Sequence, residues 1–148
     1  MRLEHQPTRD ETNSAYWARA HVRDIELIAP FARRILDVGM GGGLLVQMLR
    51  AKGIYAVGVD LRRIAPEGLI GANARALPFR DGSFDVVVDA YTILDMIEFQ
   101  QGQGAWEAVS EIKRVLKTGG YLLSSHPQCV SYEFTGHSWD GKSFYFRK

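Results

Sequence analysis

A short apolar segment that runs directly into glycines constrains the fold of this chain more than any other feature. Residues 35–38 (Ile-Leu-Asp-Val) precede glycines at 39, 41, 42 and 43, and apolar residues then recur with helical spacing over 44–49. This order predicts a strand, a tight turn and a helix. Glycine suits such a turn because it adopts backbone angles that other residues resist and lets a ligand approach closely. Because a helix start presents unpaired N–H groups, the stretch predicts a nucleotide or nucleoside pocket in an open α/β sheet.

The spacing of the glycines narrows the choice of ligand. A dinucleotide-binding turn follows G-x-G-x-x-G or A, and counting from Gly39 its last position falls on Leu44, which disfavours a nicotinamide enzyme. Instead, Asp37 stands two residues before Gly39, and Gly41 and Gly43 follow at alternate positions. This arrangement resembles the first motif of the class I S-adenosylmethionine-dependent methyltransferases. A structural turn without a ligand is the alternative.

Length and composition limit the classes of protein to which the chain can belong. The 148 residues, 46% of them hydrophobic, predict a single domain over 1–148. Lys and Arg number 18 against 17 Asp and Glu, a balance that gives no strong nucleic-acid signal. A lone cysteine, Cys129, favours a reducing compartment, and no apolar run is long enough for a signal peptide or a membrane span. We therefore expect a cytoplasmic protein without a membrane partner.

The amino-terminal region is expected to contain a flexible arm and one helix. Residues 1–12 are polar and mixed in charge, and Asn13 or Ser14 can cap the helix that follows. Pro30 is expected to end this helix. The apolar residues that share one of its faces are Ala18, Val22, Ile25 and Ala29.

A second predicted strand, over residues 54–60, ends in the carboxylate of Asp60. Two carboxylate oxygens match the two adjacent hydroxyls of a ribose, so Asp60 is predicted to bind one; a simple turn residue is the alternative. Leu61 follows, where an apolar side chain can lie against an adenine face. The next apolar piece stands at 69–71, too close for a full crossover helix.

Two further segments strengthen the resemblance to the methyltransferases. Residues 73–85 contain Asn-Ala, Leu-Pro-Phe and Ser-Phe-Asp in the order that many small-molecule methyltransferases show before their fourth strand, with Asn73 in place of the usual aspartate. Residues 111–120 resemble the family's E-x-x-R-V-L-K-P-G-G segment, with Thr118 in place of proline. The resemblance covers roughly residues 35–125 in matching order.

This resemblance implies a fold and a cofactor. We expect a Rossmann-like, doubly wound α/β fold in three layers, with a mostly parallel sheet in the strand order 3-2-1-4-5. The cofactor that the resemblance implies is S-adenosyl-L-methionine. In this interpretation Asp37 supports the turn, Asp60 holds the ribose, and the Asn73 carbonyl accepts a hydrogen bond from the adenine amino group. The cofactor-binding residues that the resemblance implies are Asp37, Gly39, Gly41, Gly43, Asp60, Leu61, Asn73, Ala74 and Asp89.

The later elements follow from apolar spacing. Residues 84–88 are nearly all apolar, as in a strand buried on both faces. A helix is predicted from the spacing of Trp106, Val109, Ile112 and Leu116, with its end at 117–120, and a fifth strand is predicted over 121–125.

Candidate catalytic residues follow the fourth and fifth strands, because ligands of open α/β sheets bind beyond the carboxyl ends of the strands. These candidates are Asp89, Tyr91 and His126, and the histidine has a suitable pKa for proton removal near neutrality. A surface histidine without a role is the alternative, since alignment alone supplies much of the rate of methyl transfer. No cluster of His and Cys suggests a metal site.

The carboxyl-terminal tail, residues 127–148, departs from the family, whose last helix and last two strands it lacks or alters. Its two aromatic pieces, residues 128–134 and 143–148, are predicted either to form a hairpin that folds back on the fifth strand or to leave that strand's edge uncovered. An uncovered apolar edge favours association, so we also expect a homodimer through this tail.

The function predicted from these features is S-adenosylmethionine-dependent methyl transfer to an unidentified acceptor, expected to be a small molecule. The alternative is a catalytically silent domain that binds the donor or acts as a scaffold with a partner chain.

Overall fold

The computed structural model describes residues 9–39, 41–61, 69–89, 104–124, 135–139 and 144–148. It contains three helices, α1 (Arg9–Ile28), α2 (Leu44–Ala51) and α3 (Ala105–Val115), within these ranges. Its strands are β1 (Arg34–Val38), β2 (Tyr55–Asp60), β3 (Leu69–Gly71), β4 (Phe84–Asp89), β5 (Leu116–Ser124), β6 (Thr135–Trp139) and β7 (Phe144–Arg147). No helix among these residues combines the length and the apolar character that a bilayer span requires.

The strands form one sheet in the order β3-β2-β1-β4-β5-β7-β6. The pairs from β3 to β5 are all parallel, whereas β7 runs antiparallel to both β5 and β6. The predicted order 3-2-1-4-5 is therefore confirmed.

Alternation of side chains along the strands explains the three layers. Leu36 and Val87 belong to a buried cluster that also contains Ile112 of α3. Their neighbours Ile35 and Val86 belong to a second cluster, which includes residues of α1 and α2. Since β1 and β4 are covered on both faces, apolar residues at consecutive positions of each strand are all buried. The helices therefore pack on opposite faces of the sheet, as predicted.

The first helix begins earlier than the sequence suggested. It starts at Arg9, before the predicted caps Asn13 and Ser14, so residues 9–12 are helical and the prediction of an arm over 1–12 is wrong for them. Residues 1–8 lie outside the described part of the chain. The predicted apolar face is confirmed, because Ala18, Val22 and Ile25 are buried.

The boundary between α3 and β5 also differs from the prediction. The helix ends at Val115, and Leu116 is already extended, with φ −74° and ψ 138°, and pairs with Phe84. Trp106 is 49% exposed, whereas Ala105 and Ala108 are buried. The strand thus includes residues 117–120, predicted to end the helix. Pairing with β4 overrides the local helical spacing of this segment.

The tail covers the edge of β5. β7 pairs with it antiparallel, with Leu122 opposite Phe146, and the Phe146 side chain is 1% exposed within the core. β6 pairs in turn with β7. The tail therefore folds back antiparallel on β5, which was one of the two alternatives. The predicted hairpin is wrong in its first strand, because residues 135–139, expected to connect the two aromatic pieces, form β6. The first aromatic piece, 128–134, lies outside the described residues. The uncovered β5 edge on which the homodimer prediction rested is absent from the described residues, and the dimer loses its support.

Asp85 fastens the amino-terminal ends of three strands. Its Oδ2 accepts hydrogen bonds from the backbone N–H groups of Arg33 (2.8 Å) and Arg34 (2.9 Å), and its Oδ1 accepts one from Lys117 Nζ (2.9 Å). Partial burial alone would raise the pKa of Asp85, but these N–H donors and the lysine charge together hold it below its usual value.

We expect Asp85→Ala to lower the free energy of unfolding by about 1–2 kcal/mol, since it leaves two backbone N–H groups without their acceptor. Urea unfolding at neutral pH measures this change. Glu26→Ala is the control, because Glu26 forms an exposed pair with Lys52, worth less than about 1 kcal/mol. Equal effects of the two substitutions would contradict the fastening role.

Candidate functional site at the carboxyl ends of the strands

The glycine turn joins β1 to α2 as predicted. Gly39, Gly41 and Gly43 have φ values of 74°, 54° and 79°, in the left-handed region that favours glycine. Gly43 is the residue that caps the amino terminus of α2. The Gly39 N–H donates a hydrogen bond of 2.8 Å to the carbonyl of Val59, which ties the turn to β2.

Asp60, the last residue of β2, contacts this turn directly. Its Oδ2 accepts a hydrogen bond of 3.1 Å from the backbone N–H of Gly41. The structure thus brings together the glycine turn and the acid that the sequence assigned to a ribose. Leu61 comes next and is 63% exposed, as a residue available to a ligand would be.

Three carboxylates meet at neighbouring strand ends. Asp37 lies near the end of β1, Asp60 ends β2, and Asp89 ends β4 opposite Val38. Asp37 and Asp89 are 6% and 1% exposed. Burial, and then repulsion by Asp89 and Asp60, raises the pKa of Asp37 to about 7. A site with this concentration of carboxylates favours hydroxyl donors and cationic groups.

Ser124 is a site residue that the sequence analysis missed. Its Oγ lies 3.3 Å from Asp89 Oδ2 and donates a hydrogen bond to it, and Ser124 is 1% exposed. Ser124 ends β5 directly beside Asp89 in the parallel register. The sequence signal that could have identified Ser124 is that β4 and β5 both end in a polar residue. Neighbouring parallel strands end at the same edge of the sheet, so these two residues are expected to lie side by side.

The segment after β3 begins beside Asp60. The N–H of Ala72 donates to the Asp60 carbonyl at 3.0 Å. The exposed Asn73 accepts the Arg75 N–H on Oδ1 at 3.0 Å, a local turn contact, and a carbonyl oxygen retains a second acceptor position. Ala74 is 5% exposed and packs in the core, so its role in cofactor binding stays a prediction.

Two predicted catalytic residues, Tyr91 and His126, lie outside the described residues, and their roles stay predictions. Within the described ranges, no group of three or more His, Cys, Asp or Glu is arranged to hold a metal ion.

A groove of about 310 Å³ runs between residues 28–32 and β5, with Asp85 and Lys117 in its wall. It lies at the opposite, amino-terminal end of the strands.

Comparison with known proteins gives a consistent result. The family described as "Methyltransferase domain" matches residues 36–124. A demethylmenaquinone methyltransferase from Thermus thermophilus is 36% identical over 106 residues, which are 62% of this chain and 46% of that protein. A ubiquinone biosynthesis O-methyltransferase from Paracidovorax citrulli is 28% identical, over 68% of this chain and 47% of the relative. The chain therefore spans about half the length of the curated relatives it matches.

The solved structure of the PH0226 protein from Pyrococcus horikoshii shares the fold. It aligns with a TM-score of 0.62 at 20% identity, over 95% of this chain and 76% of that one. The family match covers more than half of the chain, in the strands and turn that build the carboxylate site. The chain belongs to the class I S-adenosylmethionine-dependent methyltransferase family.

Proposed function

We propose that this chain binds S-adenosylmethionine beyond the carboxyl ends of β1, β2 and β4 and transfers its methyl group to a small molecule. One observation carries the proposal: the hydrogen bond from the Gly41 N–H to Asp60 Oδ2. This hydrogen bond connects the glycine turn, whose backbone a ligand can approach closely, with Asp60. The carboxylate of Asp60 can accept hydrogen bonds from both hydroxyls of a ribose.

The residues around this contact fit the chemical groups of the donor. Asp60 accepts the ribose hydroxyls, and the exposed Leu61 lies against the adenine. Gly39 and Gly41 lack side chains that would fill the space over the turn. Gly43 lacks one for a different reason, since a Cβ there would stand 2.8 Å from Leu69 Cδ1 of β3. The negative charge shared by Asp37, Asp60 and Asp89 favours a ligand that carries an ammonium and a sulfonium group. The side-chain carbonyl of Asn73 accepts a hydrogen bond from the adenine amino group.

The donor, when bound, supplies an electrophilic methyl group. The chain's task is then to align an acceptor with that group, and alignment alone supplies a large part of the rate. Asp89 is buried and hydrogen-bonded by Ser124, which fixes its carboxylate at the end of β4. Proton removal by Asp89, Tyr91 or His126 stays a prediction.

The proposed acceptor is a small molecule of the quinone class. Support for this class comes from the names of the relatives, a demethylmenaquinone methyltransferase and a ubiquinone biosynthesis O-methyltransferase. Turnover with quinols and other phenols as acceptors tests this class. Donor binding without turnover on any acceptor would favour the catalytically silent alternative. A cytoplasmic location stays a prediction.

We expect Asp60→Ala to weaken binding of S-adenosylhomocysteine, the demethylated product, by about 1–3 kcal/mol, or roughly 5- to 150-fold, because the ribose hydroxyls lose their acceptor. Isothermal titration calorimetry measures this affinity. Glu26→Ala removes the same charge from an exposed position on α1 and serves as the control. Unchanged affinity in a folded Asp60→Ala variant would remove Asp60 from the site.

A further inference from the structure

Arg114 of α3 contacts the segment that joins β3 to β4, residues 72–83, at three points. The Arg114 guanidinium donates to the backbone carbonyls of Leu77 (3.0 Å) and Phe79 (2.7 Å) and to Asp81 Oδ1 (2.9 Å). Segments between strands are usually held loosely at the surface. Here a planar, permanently charged group fixes three successive parts of one segment.

Glu111 completes this attachment from the same helix. Its Oε2 accepts the Leu77 N–H at 2.7 Å, while its two oxygens also accept Arg114 Nε and Nη2 at 2.7 and 2.9 Å. Both polar groups of Leu77 are thus bound, its N–H by Glu111 and its carbonyl by Arg114. The arginine holds the pKa of Glu111 below its usual value, so the glutamate stays charged at neutral pH.

The other end of α3 contacts the same segment. The Arg75 side chain lies so close to Gly104, at the helix start, that a Cβ on this glycine would stand 2.7 Å from Arg75 Cδ. Arg75 also forms an ion pair of 3.6 Å with Glu107. The segment is therefore attached to both ends of α3, by Arg75 within the turn that contains Asn73 and Ala74 and by residues 77–81 after it.

The beginning of the segment is bonded to the candidate site itself, through the Ala72 N–H and the Asp60 carbonyl. Leu77 and Ala74 are both 5% exposed and lie in the core cluster that contains α3 residues. With its start fixed at β2 and its middle fixed at α3, the segment has little freedom to move Asn73 relative to Asp60.

We propose that Glu111 and Arg114 are positioning residues that set the selectivity of the donor site for adenine. By fixing the Leu77 peptide, they hold Asn73 at the place where its amide meets the 6-amino group of a purine bound through Asp60. This inference rests on the proposed function. It goes beyond that function by assigning base selection to two residues that touch no ligand.

The test compares S-adenosylhomocysteine with S-inosylhomocysteine, whose purine has a carbonyl at position 6 and a proton on N1 in place of the 6-amino group. Calorimetry gives the ratio of their dissociation constants for the wild-type chain, Arg114→Met and Glu111→Gln. We expect the wild type to prefer the adenosyl compound by about tenfold or more, the scale of one hydrogen bond whose loss leaves a polar group unpaired. Both substitutions should reduce this ratio several-fold and leave binding of the inosyl compound nearly unchanged.

The ratio of the two dissociation constants distinguishes a positioning role from a purely structural one. If a substitution only destabilised the protein, the affinity for both ligands would fall by the same factor. Glu111→Gln removes the charge that pairs with Arg114 and serves if Arg114→Met does not fold. Lys52→Met, which removes a cation from an exposed pair, is the control and should keep the wild-type ratio. An unchanged ratio in the folded variants, or a wild type without preference, would overturn the inference while the proposed function stands. A wild type that binds neither ligand would overturn both.

Discussion

Gly41→Val is expected to abolish binding of S-adenosylhomocysteine in a protein that still folds. The Gly41 backbone lies in the left-handed region, with φ 54°, and its N–H donates to Asp60. A branched side chain at this place would fill the space over the turn that the proposed donor occupies. It would also strain the backbone and loosen the contact with Asp60, so the expected loss of affinity exceeds that of Asp60→Ala.

The control for backbone strain is Gly53→Val. Gly53 follows α2 with φ 77°, and a Cβ built there meets no atom within 4 Å. Both valines carry a conformational cost of roughly 1–2 kcal/mol, but only the one at Gly41 stands in the candidate site. Circular dichroism and thermal unfolding report on the fold, and calorimetry reports on binding. Donor binding within a few-fold of wild type in Gly41→Val would make the turn purely structural.

Asp37→Asn is expected to stabilise the protein above pH 7. Since burial and the neighbouring acids raise the pKa of Asp37 from 3.8 to about 7, the folded chain holds this proton over a range in which the unfolded chain has lost it. Stability therefore falls as pH rises from about 4 to about 7, and the loss is complete above that range. A shift of this size corresponds to an upper bound of about 4 kcal/mol.

Urea unfolding between pH 4 and 8 measures this dependence. Asparagine resembles the protonated aspartic acid, so the variant should lack the Asp37 contribution and gain about 2–4 kcal/mol at pH 8. Asp85→Asn is the control of opposite sign, because the pKa of Asp85 is lowered in the folded state. Its removal should cost stability at pH 8 rather than add to it. An Asp37→Asn variant less stable than wild type at pH 8 would contradict the raised pKa of Asp37 in the folded protein.

The sequence predicted those parts of the fold that depend on local pattern. The apolar runs 35–38 and 84–88 gave buried strands because both faces are covered by helices. The glycine turn was predictable because its left-handed backbone angles require glycine, and Asp60 because it ends a strand next to that turn.

The errors arose where contacts between distant residues decide the structure. Leu116 has helical spacing with Ile112, yet its pairing with Phe84 places it in β5. The tail covers β5 because Phe146 is buried beside Leu122, a choice between hairpin and dimer that local pattern left open. The role of Arg114 was invisible for the same reason, since the motif names the residue while the carbonyls it binds lie 35 and 37 positions away.

The central claim is that the turn after β1 and the acid after β2 form a donor site, and a titration of the wild-type chain with S-adenosylhomocysteine tests it most directly. We expect saturable binding by calorimetry, with one ligand per chain, and no binding of NAD under the same conditions. A folded chain that gives no heat with S-adenosylhomocysteine at millimolar concentration, or that binds NAD instead, would contradict the account.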